Sequence, residues 1–485
     1  MKTHPTIIQG GMGVGVSHWK LARAVARLGQ LGVVSGTALD LVFARRLQDG
    51  DPGDNMRRGL DAFPFRKMAE RVWNKYFIPG GKAPAEPYKV LPAHNWDGPV
   101  ERRELCIVAN YVEVALAREG HENPVGVNYL EKVQIPHLPS LYGAMLAGVG
   151  YVLMGAGIPL RIPGALDCLA QHQPATYAMH VAGAEQAETN AVSFTPRDFM
   201  EADLPPLTRP YFLAIVASNT LATTMLRKAN GRVDGFVVEG PTAGGHNAPP
   251  RGKGPLSEGG EPVYGERDEV DLARLKELGV PFWLAGGYGT PERLREALAA
   301  GASGVQVGTA FALCEESALR EEYKRSILKS VAAGEAAVFT DPLASPTGFP
   351  FKTVLLEGTL SEEAVYALRP RLCDLGYLRE TYRLSSGAVG YRCAAEPVAS
   401  YIAKGGTAEK AAGRKCLCNA LLANIDQSQI QRGAYVETGL VTCGDCLGAV
   451  ADLLPNGNTS YTAADVIARL LSGPLPDGRG PVLGG

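Results

Sequence analysis

Over residues 1–310 short apolar runs alternate with stretches whose apolar positions recur every three or four residues, the rhythm of β/α units around a parallel sheet. Eight runs read as strands: Thr6–Gln9, Leu31–Ser35, Val125–Asn128, Tyr151–Met154, Phe212–Ala217, Gly235–Glu239, Phe282–Ala285 and Gly304–Val307. Eight is the number that closes a barrel, so the predicted class is α/β, a (β/α)8 or TIM barrel. The clearest helix lies between the last two strands. Thr290 caps it, Pro291 takes the first helical position, Leu294, Ala297 and Leu298 form one stripe, and Gly301 ends it. Trp19, Ala22, Val25 and Ala26 mark a similar helix after the first strand, ending at Gly29.

The rhythm breaks in three places. Residues 44–104, charged and rich in proline, read as an insertion on the barrel rim, with a lid as one use. The run ATYAMHV near 175–181 is expected to form a hairpin outside the barrel. After about Phe351 the β/α alternation gives way, and residues 351–485 are expected to form a C-terminal, mainly helical, Cys-containing domain beside a barrel spanning 1–350. The uncharged stretch Leu141–Leu160 has the length of a membrane span, but Gly148 and Gly150 divide it into a helix and a buried strand.

Composition changes this picture little. The 58 glycines and 34 prolines among 485 residues stay below the roughly 25–30% that marks low-complexity chains. With 48 Lys and Arg against 50 Asp and Glu the net charge is -2, which argues against a nucleic-acid partner. The start, MKTHPTIIQGGMG, has no apolar run behind a basic cap, so a cytoplasmic protein is expected, without membrane attachment.

In a barrel of this class chemistry sits at the carboxyl ends of the strands, and the last two loops commonly hold a phosphate. Strand seven ends in Ala285-Gly286-Gly287 and strand eight in Gly308-Thr309, where backbone N–H groups can approach an anion and the Thr309 hydroxyl adds a donor. Either motif alone is equally a tight turn; the two at successive strand ends favour phosphate. After the first strand, Gln9-Gly10-Gly11-Met12-Gly13-Val14-Gly15 offers bare backbone for a flat ring and a soft thioether face. Asn128 can present an amide to a heterocycle or serve as a loop residue. The segment from Glu239 through Gly244-Gly245-His246 lifts a histidine on a Gly-Gly turn beside an acid leaving a strand. A general base or hydrogen-bond donor belongs there, and an ordinary loop histidine is the alternative. Glu239 suits sugar-like hydroxyls or a turn cap.

Nine cysteines are too sparse for a disulfide framework. Cys416-x-Cys418 and Cys443-x-x-Cys446, with Cys393 nearby, raise the question of a zinc site, although one intervening residue is shorter than usual ligand spacing. No metal is assigned.

Taken together, Ile7-Ile8-Gln9-Gly10-Gly11-Met12, Glu239-Gly240 through Ala243-Gly244-Gly245-His246, Ala285-Gly286-Gly287 and Gly308-Thr309-Ala310-Phe311 resemble the nitronate monooxygenase (2-nitropropane dioxygenase) family, which is similar to the FMN-dependent enoyl reductases. The resemblance covers most of residues 1–350. It implies an FMN-bearing barrel in which Gln9, Gly10, Gly11 and Met12 line the flavin, and Gly286, Gly287, Gly308 and Thr309 hold its phosphate. It also places Glu239 near the ribityl chain, Gly244 and Gly245 against the flavin beside the substrate, and His246 on the family's active-site histidine, and Asn128 and Ala285 are counted with the expected cofactor-binding residues. The implied reaction oxidises alkyl nitronates with dioxygen to a carbonyl compound and nitrite. The implied partners are the small-molecule substrate and dioxygen, with a homodimer left open. Two other readings stand beside it: an NAD(P)H-dependent FMN reductase of enoyl thioesters or quinones, and a non-catalytic flavin-binding scaffold. The chain departs from the family pattern in its long insertion, its Cys-bearing tail, the lack of lysine near Ile215–Ser218, and Ala310 where arginine is common. An IMP dehydrogenase mechanism lacks its nucleophile, because no cysteine lies between Cys168 and Cys314.

Overall fold

The structure is a computed structural model that describes residues 4–184, 190–252, 254–454, 457 and 459–472. All eight expected runs are strands: β1 Ile7–Gln9, β2 Leu31–Ser35, β3 Val125–Leu130, β4 Tyr151–Gly155, β5 Tyr211–Val216, β6 Gly235–Glu239, β7 Phe282–Ala285 and β8 Gly304–Val307. They pair in parallel, each with its sequence neighbour, and β8 closes on β1 through Ile7↔Val305 and Gln9↔Val307. The barrel interior is a small apolar plug of Ile8, Leu31, Val33, Leu153, Leu213, Val237 and Trp283. Side chains of these strands pointing outward join the much larger core beneath the helices. Gly32 and Gly304 are required by packing rather than by turns: a Cβ would lie 1.9 Å from Ala22 O and 1.8 Å from Thr6 O.

The two helices read from pattern are present at Trp19–Arg27 and Pro291–Ala299, the second with Thr290 Oγ1 accepting from Arg293 N–H. The uncharged stretch divides as expected into helix His137–Leu146 and β4. Among the described residues no helix is long and apolar enough to cross a membrane. Residues Ala175–Ala178 pair with Ala191–Phe194 as an antiparallel hairpin outside the barrel.

The insertion between β2 and β3 folds into helices at Asn55–Asp61 and Arg66–Tyr76 before an irregular stretch and the long helix Val100–Ala117. Its irregular part braces the tail: Tyr88 N–H donates to Gln429 Oε1, Gln429 Nε2 donates to Tyr88 O, and Trp96 N–H donates to the Tyr391 hydroxyl. Beyond 351 the chain mixes short helices with short strands, including a hairpin of Glu380–Arg383 with Val389–Arg392. It returns to the barrel at several points. Strand Phe351–Val354 pairs with the two-residue strand Gly245–His246, and the last described helix, Ala463–Leu470, packs on the Trp19 and Pro291 helices.

Candidate active site

A cavity of about 1470 Å³, including the space open to solvent, lies at the carboxyl ends of the barrel strands. It collects residues from strand ends spread over the whole chain, as a barrel topology requires. Gly10, Gly11, Met12, Asn128, Glu239, Gly244, Gly245, His246, Ala285, Gly286, Gly287, Gly308 and Thr309 all line it. Gln9 does not. Its side chain is fully buried beneath the first loop, with Nε2 donating to Ser17 Oγ and Val33 O and Oε1 accepting from Val33 N–H. Gln9 therefore stitches the glycine loop to β2. No residue of 44–104 lines the cavity either.

On one wall Gly11 faces Asn128 so closely that a Cβ would sit 2.4 Å from the Asn128 Cβ. Asn128 Nδ2 donates to Gly11 O at 3.4 Å, while its Oδ1 is buried without a hydrogen-bond partner. Gln306, which sequence reading did not single out, lines the same cavity and also has a buried, unpartnered Oε1. Glu239 ends β6 with no hydrogen bond to its carboxyl group among the described residues, and burial pushes its pKa up to about 7. Asn128 Oδ1 and Gln306 Oε1 thus lie buried without donors in residues that line the cavity. Buried acceptors left unpaired cost free energy, on the order of 1–3 kcal/mol each, which a ligand rich in N–H and O–H groups would recover.

His246 follows Gly245, whose φ of 78° lies in the left-handed region that a side chain resists. The imidazole is held from the tail side. Phe351, its strand partner, meets it edge-to-face at 4.8 Å, and Nε2 lies 2.8 Å from Ser345 Oγ, which is itself hydrogen-bonded to Thr347 Oγ1. Burial lowers the histidine pKa to about 4, so the ring is neutral at pH 7.

The corner expected to hold phosphate is built from the last barrel loops and the tail. Gly286 and Gly287 have φ of 81° and 80°, and a Cβ on Gly286 would lie 2.9 Å from Thr242 Oγ1. Against them stands the tail segment Thr442–Cys446. Gly444 N–H donates to Thr309 Oγ1 at 2.9 Å, and Asp445 N–H donates to Thr242 O at 3.0 Å. Accepting that bond leaves the Thr309 O–H free to donate. Gly244 is packed against the Cys443 and Gly444 backbone, where a Cβ would come within 2.7 Å. Arg469 lines the same cavity, with Nη1 donating to Gly289 O and Nη2 paired with Asp452. Cys443 and Cys446 line the cavity as well, so they are not gathered with Cys416 and Cys418.

The fold and this site define a closed parallel barrel with a glycine-lined cavity at the carboxyl ends of its strands. Residues 161–342 match the family model for nitronate monooxygenase. The chain is 30% identical over 195 residues to the nitronate monooxygenase of Pseudomonas aeruginosa, covering 39% of this chain and 48% of that protein. It is 28% identical over 190 residues to the nitronate monooxygenase of Paraburkholderia phytofirmans, covering 37% and 47%. The matched part thus spans about half the length of these curated relatives. Among solved structures, FabK from Thermotoga maritima aligns with a TM-score of 0.48 at 16% identity, covering 97% of this chain and 93% of that one. The nitroalkane oxidase of Streptomyces ansochromogenes aligns with a TM-score of 0.39 at 16% identity, covering 72% and 77%.

Proposed function

We propose that this chain is an FMN-dependent oxidoreductase of the nitronate monooxygenase type, oxidising alkyl nitronates with dioxygen to a carbonyl compound and nitrite. The observation that carries the reading is the meeting in one cavity of three glycine-rich strand ends, Gly10–Gly11, Gly286–Gly287 and Gly308–Thr309, with Glu239 and His246. FMN fits that set: ribityl hydroxyls and the ring N–H supply donors, and the phosphate suits the Thr309 hydroxyl, Gly286, Gly287, Gly308 and the Arg469 guanidinium. Gly10, Gly11 and Met12 offer the face against which the ring lies. When bound, the flavin supplies electron transfer between the organic substrate and dioxygen.

His246 would receive the substrate's anionic nitro group as a neutral hydrogen-bond donor. A histidine whose conjugate acid has a pKa of about 4 is a weak base, so removal of an α-proton from a neutral nitroalkane is disfavoured and the preformed nitronate is the better substrate. Ser345 fixes which ring nitrogen faces the cavity.

One observation favours the reductase as a second reading. A cavity lined by Lys132, Arg379, Lys410, Arg414 and the Arg392–Glu380 ion pair also includes Thr347, the hydrogen-bond partner of Ser345. Such a cavity suits the phosphates of a thioester carrier or a hydride donor. The deciding experiment is the absorption spectrum of the purified protein, followed by anaerobic mixing. Flavin absorbance that bleaches with an alkyl nitronate, and nitrite released on admitting dioxygen, is the expected result. Rapid bleaching by NAD(P)H but not by nitronate would replace this reading with the reductase, and a colourless protein that takes up no FMN would end both.

A further inference from the structure

The barrel and the tail enclose a second large cavity, of about 1440 Å³ including the space open to solvent, nearly the volume found at the barrel mouth. The two cavities share no lining residue. The loop at 345–350 runs between them. Ser345 Oγ holds His246 of the barrel mouth, and Thr347, whose Oγ1 is 2.8 Å from Ser345 Oγ, lines the second cavity. The remaining walls come from the loop after β3, from Met179 and His180 beside the outer hairpin, and from the tail. Hairpin and tail are joined there by main chain: Ala182 N–H donates to Thr381 O, Arg383 N–H to Ala182 O, and Thr381 Oγ1 to His180 O.

The charge on these walls is one-sided. Lys132, Arg379, Arg392, Lys410 and Arg414 line the cavity with one carboxylate among the described residues, Glu380, which Arg392 already pairs at 2.8 Å. Lys132 Nζ stands 3.8 Å from Glu131 Oε2. Arg379 and Arg414 are fixed by neutral acceptors instead. Arg379 Nε donates to Gly376 O and Nη2 to His94 O and Asn95 Oδ1, with the guanidinium 4.6 Å over the Tyr391 ring. Arg414 Nε donates to Lys410 O, and its Nη1 to Leu343 O and Ser345 O, both at 2.7 Å. Asp341, whose charge reaches Arg414, is paired with Lys415 at 3.1 Å. Arg379 Nη1 and Arg414 Nη2 keep no hydrogen-bond partner among the described residues, and both side chains are half-buried. Carbonyl oxygens thus hold two guanidinium forks in place without cancelling their charge, so little side-chain entropy remains to be lost when an anion binds.

We propose that this cavity binds an organic diphosphate of the nucleoside diphosphate kind, with Arg379, Lys410 and Arg414 taking the phosphates. Charge and size lead to that class together. Three cations without carboxylate partners match the about three negative charges of a diphosphate ester, whereas a single carboxylate would leave two of them unmatched. A cavity this large exceeds what an inorganic ion fills. The site needs neither a flavin nor a nitronate and is independent of the function proposed above. Hydride-donating dinucleotides and acyl-thioester carriers both contain such a diphosphate, so a free nucleotide and these two are sources of one ligand chemistry. Because Arg414 also donates to Ser345 O, a ligand held by Arg414 bears on the loop that positions His246.

ADP is the probe, titrated into the full chain by calorimetry at about 50 mM salt, where screening is modest, with and without added FMN. One ADP per chain with a Kd below about 0.2 mM, the same in both conditions, is expected. Lys410 is exposed and its side chain bonds nothing among the described residues, so Lys410→Glu should fold normally. That variant should weaken ADP at least about tenfold while leaving FMN uptake within about twofold, and Arg469→Gln at the barrel mouth should leave ADP within about twofold. Competition then identifies the source: displacement of ADP by NADPH alone marks a hydride donor, by coenzyme A alone a thioester carrier, and by neither a free nucleotide. A protein that takes up no FMN yet binds ADP in this pattern would refute the flavin and keep the site. No binding at about 5 mM ADP, an undiminished affinity in Lys410→Glu, an equal loss in Arg469→Gln, or displacement by equimolar sulfate at constant ionic strength would overturn it.

Discussion

Gly444 donates its N–H to Thr309 Oγ1 at 2.9 Å, joining the tail to the loop after the last barrel strand across 135 residues of sequence. The barrel alone does not complete its own cavity. Thr442–Cys446 forms one side of the corner assigned to phosphate, and Ser345 and Phe351 hold the histidine on the other. The tail thus supplies part of the wall of the cavity at the barrel mouth.

Gly444 has no room for a side chain, since a Cβ would lie 2.6 Å from Thr242 O. Gly444→Ala should displace the tail from the corner and weaken FMN retention about tenfold, equivalent to about 1.4 kcal/mol. Flavin-to-protein ratio and fluorescence titration of added FMN would measure it, with circular dichroism unchanged from wild type. Retention equal to wild type would place the phosphate elsewhere.

Arg469 offers the cavity a guanidinium held by Gly289 O and Asp452. If it faces the phosphate, Arg469→Gln should weaken FMN about tenfold or more and leave riboflavin, which has no phosphate, within about twofold. The salt dependence of FMN binding should shrink in parallel. Equal losses for both ligands would assign Arg469 to structure.

The barrel strands were legible because buried parallel strands need unbroken apolar runs, and glycine-rich strand ends mark their loops. What escaped reading depends on partners distant in sequence. Arg469 reaches Gly289 across 180 residues and carries no local motif. Gln306 sits inside a strand whose neighbours are apolar, so nothing in its spacing says that it faces the cavity. Gln9 misleads in the opposite way: its residue type suits a cofactor edge, yet Ser17 and Val33 saturate its amide. The cysteines show the same limit. Short spacings pair Cys416 and Cys418 with Cys443 and Cys446, whereas the fold sends Cys443 and Cys446 to the barrel mouth.

His246 has a pKa lowered from 6.5 to about 4 by burial. The unfolded chain then binds a proton more readily between those values, so the histidine's contribution to stability is present above 6.5 and is lost as the pH falls through about 4. His246→Asn removes this titration, and its melting temperature should fall less than that of wild type between pH 7 and pH 4.5. The same variant should keep FMN while raising KM for a nitronate about tenfold or more, the effect of losing a hydrogen bond to a charged group. Unchanged KM would remove the substrate-binding role.

Glu239 shifts the opposite way, from 4.5 to about 7 through burial. The folded protein without flavin binds the proton more tightly, so its stability declines as the pH rises from 4.5 to about 7 and stays reduced above that. Glu239→Gln replaces the carboxyl with a neutral group of the same shape. Without flavin, the variant should therefore be more stable than wild type at pH 8, by about 1–3 kcal/mol, and should approach it near pH 4.5. With FMN present the order should reverse, because ribityl hydroxyls that donate to the carboxylate stabilise its charged form and bind the amide less strongly. Denaturant melts of flavin-free and flavin-loaded protein at pH 8 separate the two effects. A variant less stable than wild type in both states would mean that Glu239 already has donors in the fold and is not waiting for a ligand.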